Sequence, residues 1–260
     1  MDDSAALIVF SDLDGTLLDH ETYDWQPARP ALTALAERGA CLVLSSSKTE
    51  AEMRILQEAM GLQGAPAIVE NGAGVIGLGD PAEDASDYEA IRGALAKITP
   101  TLRAEFRGFG DMTSAEVAEA TGLSPEDATH AKARRFSEPG LWSGDDAAFD
   151  AFITELTHHG IHARSGGRFL TLSRGRTKAD GMAKVIAAYK PAHTIALGDA
   201  PNDIEMLEAA EFGVIVANPH GPDLPPLKGE DTGRIMRTAA PGPTGWSEAV
   251  LKLLSQLTPR

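Results

Sequence analysis

The sequence predicts an α/β protein in which a doubly wound parallel-sheet, Rossmann-like core carries an inserted α+β cap domain. Three observations favour this fold class. Short apolar runs alternate with helical patterns near both ends of the chain, which is typical of a parallel sheet with helices on both faces. The middle of the chain has a different texture and contains a hairpin signal. Several apolar runs end in acidic or hydroxyl residues, as expected where ligands bind beyond the carboxyl ends of strands.

The N-terminal part of the predicted core contains three strands and two helices. The first helix is expected to stop at Gly39. The second has Thr49 and Glu52 in the spacing of a capping box, followed by an apolar stripe. The strands are predicted at residues 5–10, 40–44 and about 67–69, and the helices at residues 30–37 and 49–60.

The C-terminal part resumes the alternation of helix and strand. Helices are predicted at residues 178–189, 204–210 and 247–257, and strands at residues 193–197 and 213–216. The stretch from Asn218 to Gly245 is rich in Pro and Gly, so we expect a loop with at most one short strand near Ile235.

The pattern of helical and strand-like segments in the middle of the chain predicts the cap domain. Its helices are expected at residues 88–98, 113–120 and 145–158, and its strands at residues 131–136, 161–164 and 169–173, with Ser165-Gly166-Gly167 as a hairpin turn. We therefore assign residues 1–81 and 174–260 to the core and residues 82–173 to the inserted cap. Such a cap is expected to cover the mouth formed at the carboxyl ends of the core strands.

Composition narrows the classes of partner. The 260 residues include 23 Lys and Arg against 38 Asp and Glu, and the net charge of −15 disfavours nucleic acid. The single cysteine, Cys41, excludes an internal disulfide and is expected to be a buried strand thiol. Because the N-terminal apolar run is too short to span a membrane and follows no basic segment, we expect a cytoplasmic protein without a membrane partner. The oligomeric state is left open.

Asp12 and Asp14 are the most informative residues. They lie two positions apart at the end of the first strand, where both side chains are expected to leave the sheet on one side. Two carboxylates beside a phosphate ester repel by roughly 4 kcal/mol per pair at 4 Å and an effective dielectric near 20, unless a cation lies among them. The pattern therefore predicts Mg²⁺, which prefers oxygen ligands.

The same pair suggests a reaction. Asp12 would attack phosphorus to give an aspartyl phosphate, and Asp14 would protonate the leaving alkoxide and later deprotonate water. Gly15 would let the backbone turn close to the phosphate, and Thr16 would add a hydroxyl there. The alternative is an ordinary acidic turn at Asp14-Gly15.

Three later segments of the chain complete the predicted chemistry. Asp199 follows a strand and would be a further metal ligand, whereas Asp203 would be a ligand or an orienting partner, or with Asn202 only a helix cap. Ser46 follows the second strand and would bind a phosphoryl oxygen, or only cap a helix. Lys178 begins the first helix after the cap and would neutralise the phosphoryl group, although most helical lysines are simply exposed.

In this order, these residues resemble the four motifs of the haloacid dehalogenase superfamily of phosphatases. Asp12-Leu13-Asp14-Gly15-Thr16 resembles the first motif, Ser46 the second and Lys178 the third. Gly198-Asp199 with Asn202-Asp203 resembles the fourth. The inserted middle resembles the larger α/β cap of the Cof-type branch. The resemblance implies a Mg²⁺-dependent phosphatase with Asp12, Asp14, Asp199 and Asp203 at the metal.

A narrower resemblance, to the mannosyl-3-phosphoglycerate phosphatases, runs nearly end to end. It rests on Ser45-Ser46-Ser47-Lys48-Thr49, Glu70-Asn71-Gly72-Ala73, Gly108-Phe109-Gly110-Asp111-Met112, Phe136-Ser137-Glu138-Pro139 and Gly242-Pro243-Thr244-Gly245-Trp246. Lys48 departs from the wider Cof-type pattern, in which arginine is more usual. The resemblance implies a phosphorylated sugar substrate, a hexose joined to 3-phosphoglycerate. The candidate substrate-binding residues are Thr16, Ser47, Lys48, Asn71, Asp111, Arg135, Arg168 and Asn202.

Three alternatives remain at this stage. The substrate could be another hexosyl-phosphoglycerate or another sugar phosphate. The same phosphoenzyme could serve a sugar phosphomutase or phosphotransferase, because a fold does not fix the acceptor. A non-enzymatic binding protein is the third, although binding alone requires no acid/base carboxylate.

Overall fold

The computed structural model of the chain describes residues 6–79, 86–166 and 168–257. These residues form two compact units. The first contains the described parts of Met1–Ser46, Leu62–Leu78 and Thr177–Arg260, and the second those of Ser47–Gly61 and Gly79–Arg176. The predicted boundary between residues 81 and 82 and the predicted turn residue Gly167 lie outside the described residues, as does Ala5 of the first predicted strand.

The described strands and helices are numbered in chain order. The strands are β1 (Leu7–Ser11), β2 (Cys41–Ser45), β3 (Ala67–Val69), β4 (Gly74–Ile76), β5 (Phe106–Gly108), β6 (Ser137–Trp142), β7 (His162–Gly166), β8 (Phe169–Ser173), β9 (His193–Gly198), β10 (Phe212–Ala217) and β11 (Ile235–Pro241). The helices are α1 (Arg29–Glu37), α2 (Glu50–Ala59), α3 (Ser86–Leu95), α4 (Pro100–Ala104), α5 (Ser114–Thr121), α6 (Pro125–Lys132), α7 (Asp146–His158), α8 (Lys178–Tyr189), α9 (Ile204–Ala209) and α10 (Gly242–Gln256).

The first unit is built on a seven-stranded sheet in the order β11-β10-β9-β1-β2-β3-β4. Its strands pair in parallel except β4, which is antiparallel to β3. Ile8 and Phe10 alternate along β1 onto one face, where they pack with Met182 and Val185 of α8 and with Leu207 of α9. The α/β fold with a mostly parallel central sheet is therefore confirmed.

The opposite face of β1 is fixed by the C-terminal helix. Trp246 of α10 is fully buried, and its indole nitrogen donates a 2.9 Å hydrogen bond to the hydroxyl of Ser11. The hydroxyl of Ser11 in turn donates to the carbonyl of Asp12 at 2.7 Å. A β-carbon at Gly245 would lie 1.9 Å from the carbonyl oxygen of Ala240, so glycine is required where α10 passes β11. The Gly242–Trp246 motif therefore packs behind the strand that carries Asp12.

The second unit has a four-stranded antiparallel sheet in the order β5-β6-β8-β7. Its main core brings Phe106 of β5 and Leu172 of β8 against Phe152 and Leu156 of α7. The predicted hairpin strands are confirmed by the pairing of β7 with β8, which runs from His162 opposite Ser173 to Gly166 opposite Phe169.

Several details of the secondary structure differ from the prediction. No strand spans residues 131–136: α6 occupies Pro125–Lys132 and β6 begins only at Ser137. The start of α6 follows ordinary capping chemistry, because Ser124 accepts from the amide of Asp127 and proline takes the first turn. The prediction lacks the short elements β4, α4 and β5. In the Pro- and Gly-rich segment, where at most one short strand is expected near Ile235, the seven-residue strand β11 begins at Ile235.

Helix α2 belongs to the second unit, although the sequence analysis placed its residues in the core. Its capping box of Thr49 and Glu52 forms as predicted. The hydroxyl of Thr49 also donates to the carbonyl of His130 at 2.9 Å, and Glu50 pairs with Arg135 at 2.5 Å. These contacts lie far apart in sequence, which is why local patterns did not reveal them.

Within the part of the chain that the structure describes, none of the helices combines the length and apolar character that crossing a membrane requires.

Candidate active site

The predicted core residues converge because four neighbouring parallel strands end at one edge of the sheet. Asp12 follows β1, Ser46 follows β2, and Asp199 and Asn218 follow β9 and β10. In the sheet these strands stand in the order β10-β9-β1-β2. The amide of Asp12 continues the pairing of β1 with β9 by donating to the carbonyl of Leu197 at 2.9 Å.

Lys178 is the centre of a buried ion-pair cluster. Its side chain is 1% exposed, and Nζ lies 2.5 Å from Oδ1 of Asp12 and 2.7 Å from Oδ1 of Asp203. Helix α8 starts at Lys178 because Thr177 and Asp180 form a capping box. The side chain of Asp12 lies on the same face of β1 as Phe10, which packs against α8. The local cap and the strand alternation therefore bring the two residues together across the chain.

The turn Glu70-Asn71-Gly72 explains how α8 is held at this place. All three residues have positive φ, and a β-carbon at Gly72 would lie 1.9 Å from the carbonyl oxygen of Thr177. Only glycine allows this approach. The amide of Asn71 donates to the carbonyl of Ser46 at 2.9 Å. The turn therefore links the end of β2 to the start of the helix that carries Lys178.

Asp203 uses both carboxylate oxygens within the protein. Oδ1 binds Lys178, and Oδ2 accepts from the amides of Asp199 and Ala200 at 3.1 and 3.0 Å. A β-carbon at Gly198 would lie 2.5 Å from the β-carbon of Asp203, so glycine makes room for it. Of the three roles left open for Asp203, the bond to Lys178 together with the bonds from two amides favours the orienting partner.

Asp199 is held by two neutral donors. The hydroxyl of Thr16 donates to Oδ1 at 2.5 Å, and the side-chain amide of Asn218 donates to Oδ2 at 2.7 Å. Thr16, which is predicted to contact the substrate, binds Asp199 here, and Asn218 is not among the predicted site residues. The only signal for Asn218 was its place directly after a predicted strand.

The pKa directions follow from burial and from crowded charge. Burial raises the pKa of Asp12 well above its ordinary value, Lys178 opposes this, and the charges of Asp203, Asp199 and Asp14 add to it. Burial also raises the pKa of Asp199, against the hydrogen bonds from Thr16 and Asn218. For Lys178, burial lowers the pKa, but the two carboxylates outweigh it and the net direction is upward. The carboxylates thus carry more negative charge than one ammonium balances.

This donor set fits a hard divalent cation. Among the described residues, Asp12, Asp199 and Asp203 form a group whose closest carboxylate oxygens all lie within 4.8 Å of one another. Oxygen ligands and excess negative charge are what such a cation requires. The group does not include Asp14, which is half-buried next to it and pairs with Leu18 in an isolated bridge.

The other predicted site residues make contacts within their own units. Ser46 is buried, and its amide donates to the carbonyl of Ile68 at 3.0 Å. The side-chain amide of Asn202 donates to Oδ1 of Asn71 at 3.0 Å. Ser47 and Lys48 belong to the second unit, where the carbonyl of Ser47 accepts from Arg134 at 2.8 Å.

The three cap candidates make contacts within the second unit. Asp111 accepts from Arg92 and Arg103 at 2.7 Å each. Arg135 pairs with Glu50 at 2.5 Å. Arg168 is exposed and donates to the carbonyl of Thr121 at 3.2 Å. Asp111 and Arg135 are thus engaged in ion pairs, whereas Arg168 has only a neutral partner among the contacts described.

Two of the cap motifs meet at Glu138. Its buried carboxylate accepts from the hydroxyl of Tyr88 at 3.0 Å, and from Arg92 and the amide of Gly110 at 2.8 Å each. A β-carbon at Gly108 would lie 2.1 Å from Oε1 of Glu138. Burial raises the pKa of Glu138 despite these donors. The glycines of the first motif therefore make room for the acid of the second.

Comparison with known proteins agrees with this geometry. The sequence matches the haloacid dehalogenase-like hydrolases over residues 9–92 and 132–221, more than half of the chain. The sucrose-phosphatase of Synechocystis sp. PCC6803, solved with sucrose and phosphate, is similar with a TM-score of 0.63 and 19% identity, over 95% of this chain and 98% of that one. The subclass IIB sugar phosphatase BT4131 is similar with a TM-score of 0.62 and 17% identity, over 96% of this chain and 99% of that one.

A third structure, BT1666 from Bacteroides thetaiotaomicron, belongs to the phosphatases of the same superfamily and gives a TM-score of 0.60 and 19% identity, over 98% of this chain and 97% of that one. At these identities the solved structures show a shared fold. The predicted superfamily is confirmed, and the narrower resemblance to mannosyl-3-phosphoglycerate phosphatases stays a prediction. The match along its sequence shows that the chain belongs to the haloacid dehalogenase-like hydrolases.

Proposed function

We propose that this protein is a Mg²⁺-dependent phosphatase that hydrolyses a phosphorylated sugar through an aspartyl phosphate. The observation that carries the proposal is the buried carboxylate of Asp12, held by Lys178 at 2.5 Å at the end of β1 and grouped with Asp199. A carboxylate fixed by a cation on one oxygen is suited to act as an oriented nucleophile.

In the first step, an oxygen of Asp12 forms a bond to phosphorus while the bond from phosphorus to the sugar oxygen breaks. Asp14 gives its proton to the departing alkoxide. In the second step, water attacks phosphorus and passes a proton to Asp14, which releases phosphate and restores Asp12. Lys178 offsets the charge of Asp12 throughout, and Ser46 is the candidate to bind a phosphoryl oxygen.

Asp12 and Asp199 are the proposed protein ligands of Mg²⁺, with Asp203 orienting the site. When bound, the cation would offset the negative charge of the phosphoryl group beside the carboxylates. Burial is the main reason why the pKa of Asp12 is raised, and the charges of Asp203, Asp199 and Asp14 add to it; this additional negative charge supports the assignment.

The substrate we propose is mannosyl-3-phosphoglycerate, with mannosylglycerate and phosphate as products. The sequence motifs of the core and cap support it, and two of the similar solved proteins are described as a sucrose-phosphatase and a sugar phosphatase. Asn71 and Asn202 in the first unit, and Ser47, Lys48, Asp111, Arg135 and Arg168 in the second, are the candidate substrate contacts. Arginine suits the glycerate carboxylate because its planar fork binds a carboxylate through two hydrogen bonds.

The test is a panel of mannosyl- and glucosyl-3-phosphoglycerate, sucrose phosphate and hexose phosphates, with Mg²⁺ or with a chelator. We expect phosphate release that requires Mg²⁺ and is fastest with mannosyl-3-phosphoglycerate. A faster sugar phosphate would redirect the substrate assignment. Transfer of the phosphoryl group to an added sugar, without phosphate release, would replace the phosphatase with a phosphotransferase.

Two variants test the mechanism. Asp12→Asn should form no phosphoenzyme in acid-quenched samples examined by mass spectrometry, whereas the exposed Asp223→Asn should behave like the unchanged protein. Asp14→Asn should lose most activity with alkyl phosphates and least with activated aryl phosphates, because only poor leaving groups need the proton. Near-normal turnover of Asp12→Asn, or equal losses of Asp14→Asn on both substrates, would contradict these roles.

A further inference from the structure

Asn218 lies directly after β10 and touches the acidic group through one specific contact. Its Nδ2 donates to Oδ2 of Asp199 at 2.7 Å. The orientation of the side-chain amide is set by a second bond, in which the backbone amide of His220 donates to Oδ1 of Asn218 at 3.0 Å. Because Oδ1 is used in this way, the donor side of the amide faces Asp199.

The surrounding backbone makes room for this side chain. A β-carbon at Gly15 would lie 2.4 Å from Nδ2 of Asn218, and Gly15 has a φ of +85°. A β-carbon at Gly221 would lie 3.2 Å from the same nitrogen. The amide of Gly221 also donates to the carbonyl of Asn218 at 3.2 Å. Two glycines from separate loops therefore form a slot around the Asn218 amide.

The two hydrogen bonds to Asp199 indicate what the Asn218 side chain does in this slot. Thr16 donates to one oxygen and Asn218 to the other, so the carboxylate plane is fixed from both sides. A carboxylate oxygen has two lone pairs, and one hydrogen bond leaves the second for another partner. Both donors are neutral, and neither adds a positive charge that would repel a cation at Asp199.

We infer that Asn218 is a positioning residue that aims the carboxylate of Asp199 at the divalent cation. The inference rests on the proposed function, in which Asp199 is a metal ligand. Partners that orient a metal ligand change metal affinity by roughly 10–100-fold when they are removed. The effect of Asn218 therefore falls on cation affinity, and through it on the concentration of Mg²⁺ that the enzyme requires.

The experiment measures Mg²⁺ binding directly, by calorimetry on the substrate-free protein. Asn218→Ala removes the donor, and Asn218→Ser is a second variant that keeps a polar group too short to reach Asp199. The exposed Asp223→Asn, in the same loop, is the matched control. Unfolding temperatures in chelator show that each variant is folded.

For both Asn218 variants we expect about tenfold weaker Mg²⁺ binding or more, with the control unchanged. Raising Mg²⁺ should restore most of kcat, which a damaged fold would not allow. An Asn218→Ala protein that is folded and binds Mg²⁺ with unchanged affinity overturns the inference. An Asp199→Asn protein with unchanged affinity overturns the metal assignment itself, and these two failures are separate results.

Discussion

Replacing Lys178 by Met is expected to lower the free energy of unfolding of the first unit by about 3–5 kcal/mol. Lys178 is 1% exposed, and its Nζ lies 2.5 Å from Asp12 and 2.7 Å from Asp203. At an effective dielectric near 20, each attraction has a ceiling of about 6 kcal/mol, which the burial of the ammonium reduces by several kcal/mol. The methionine fills much of the same space but leaves two buried carboxylates without their cation.

The assay is urea unfolding in chelator, followed by tryptophan fluorescence. Trp25 and Trp246 lie in the first unit and Trp142 in the second, so a Trp142→Phe background makes the signal report the first unit alone. This separation is needed because two compact units can unfold in different transitions. Lys252→Met is the matched control, since Lys252 is exposed on α10 and the change should stay within about 0.5 kcal/mol.

The raised pKa of Lys178 determines how its contribution to the stability of the first unit changes with pH. The folded-state pKa of Lys178 is raised above its ordinary value of 10.5, because the pairs with Asp12 and Asp203 outweigh the effect of burial. A raised lysine pKa contributes stability that is fully present below 10.5 and is lost as the pH rises through the folded-state pKa. The difference between the unchanged protein and Lys178→Met should therefore be constant from about pH 7 to 10 and shrink above that range.

A double variant decides whether the charges are responsible. Adding Asp12→Asn to Lys178→Met should recover part of the lost stability, because only one carboxylate then lacks its cation. A loss below about 1 kcal/mol in the single variant, or a double variant no more stable than the single one, would contradict a stabilising role of these buried ion pairs.

Three further predictions concern other parts of the structure. Gly72→Ala should cost the first unit more than about 2 kcal/mol in urea unfolding, since its β-carbon would lie 1.9 Å from the carbonyl oxygen of Thr177. Trp246→Phe should cost about 2 kcal/mol in the same assay, through a cavity and the lost bond to Ser11. Burial opposes ionisation of Asp111, but hydrogen bonds from Arg92 and Arg103 prevail and lower its pKa, so its stabilisation is present above its ordinary value of 3.8 and lost below it. Asp111→Asn should therefore reduce the loss of stability that the second unit shows as the pH falls below 3.8, measured by Trp142 fluorescence.

Each of these three predictions has a result that would contradict it. Gly64→Ala is the control for Gly72→Ala, because Gly64 also has positive φ but a β-carbon there would meet nothing within 4 Å, and only about 1–2 kcal/mol of backbone strain is expected. Equal costs at the two glycines would remove the argument for the close approach. An acid transition that Asp111→Asn leaves unchanged, or a Trp246→Phe protein as stable as its parent, would count against the other two.

The fold was predictable where local signals and periodicity agree. The strand runs that became β1, β2 and β9 were placed within a residue or two, and the capping box at Thr49 starts α2 as expected. The second unit was harder because its elements are short and amphipathic. The apolar residues Ala131 and Phe136 suggested a strand, whereas Ala131 is a buried residue of α6, the helix that begins with Ser124 and Pro125.

The candidate site shows the same division. The acidic pair at the end of β1 and the later Asp199 were recognisable because their residue types follow strand ends. The partners of these acids were not: Lys178 reaches Asp12 across 166 positions, and Asn218 reaches Asp199 from a loop that the sequence marks only as rich in Pro and Gly.

The fold class, the succession of core strands and helices along the chain, and the acidic residues available for chemistry follow from the amino-acid sequence alone, because alternation, capping and residue type are local properties. Which oxygen of each carboxylate is already bound is visible only in the folded chain. Asp203 binds Lys178 and two backbone amides, whereas Asp199 accepts hydrogen bonds from the neutral side chains of Thr16 and Asn218. Hydrogen-bond partners and the burial of charge depend on which strand ends lie side by side, and the spacing of residues along the sequence does not give the distances between strand ends.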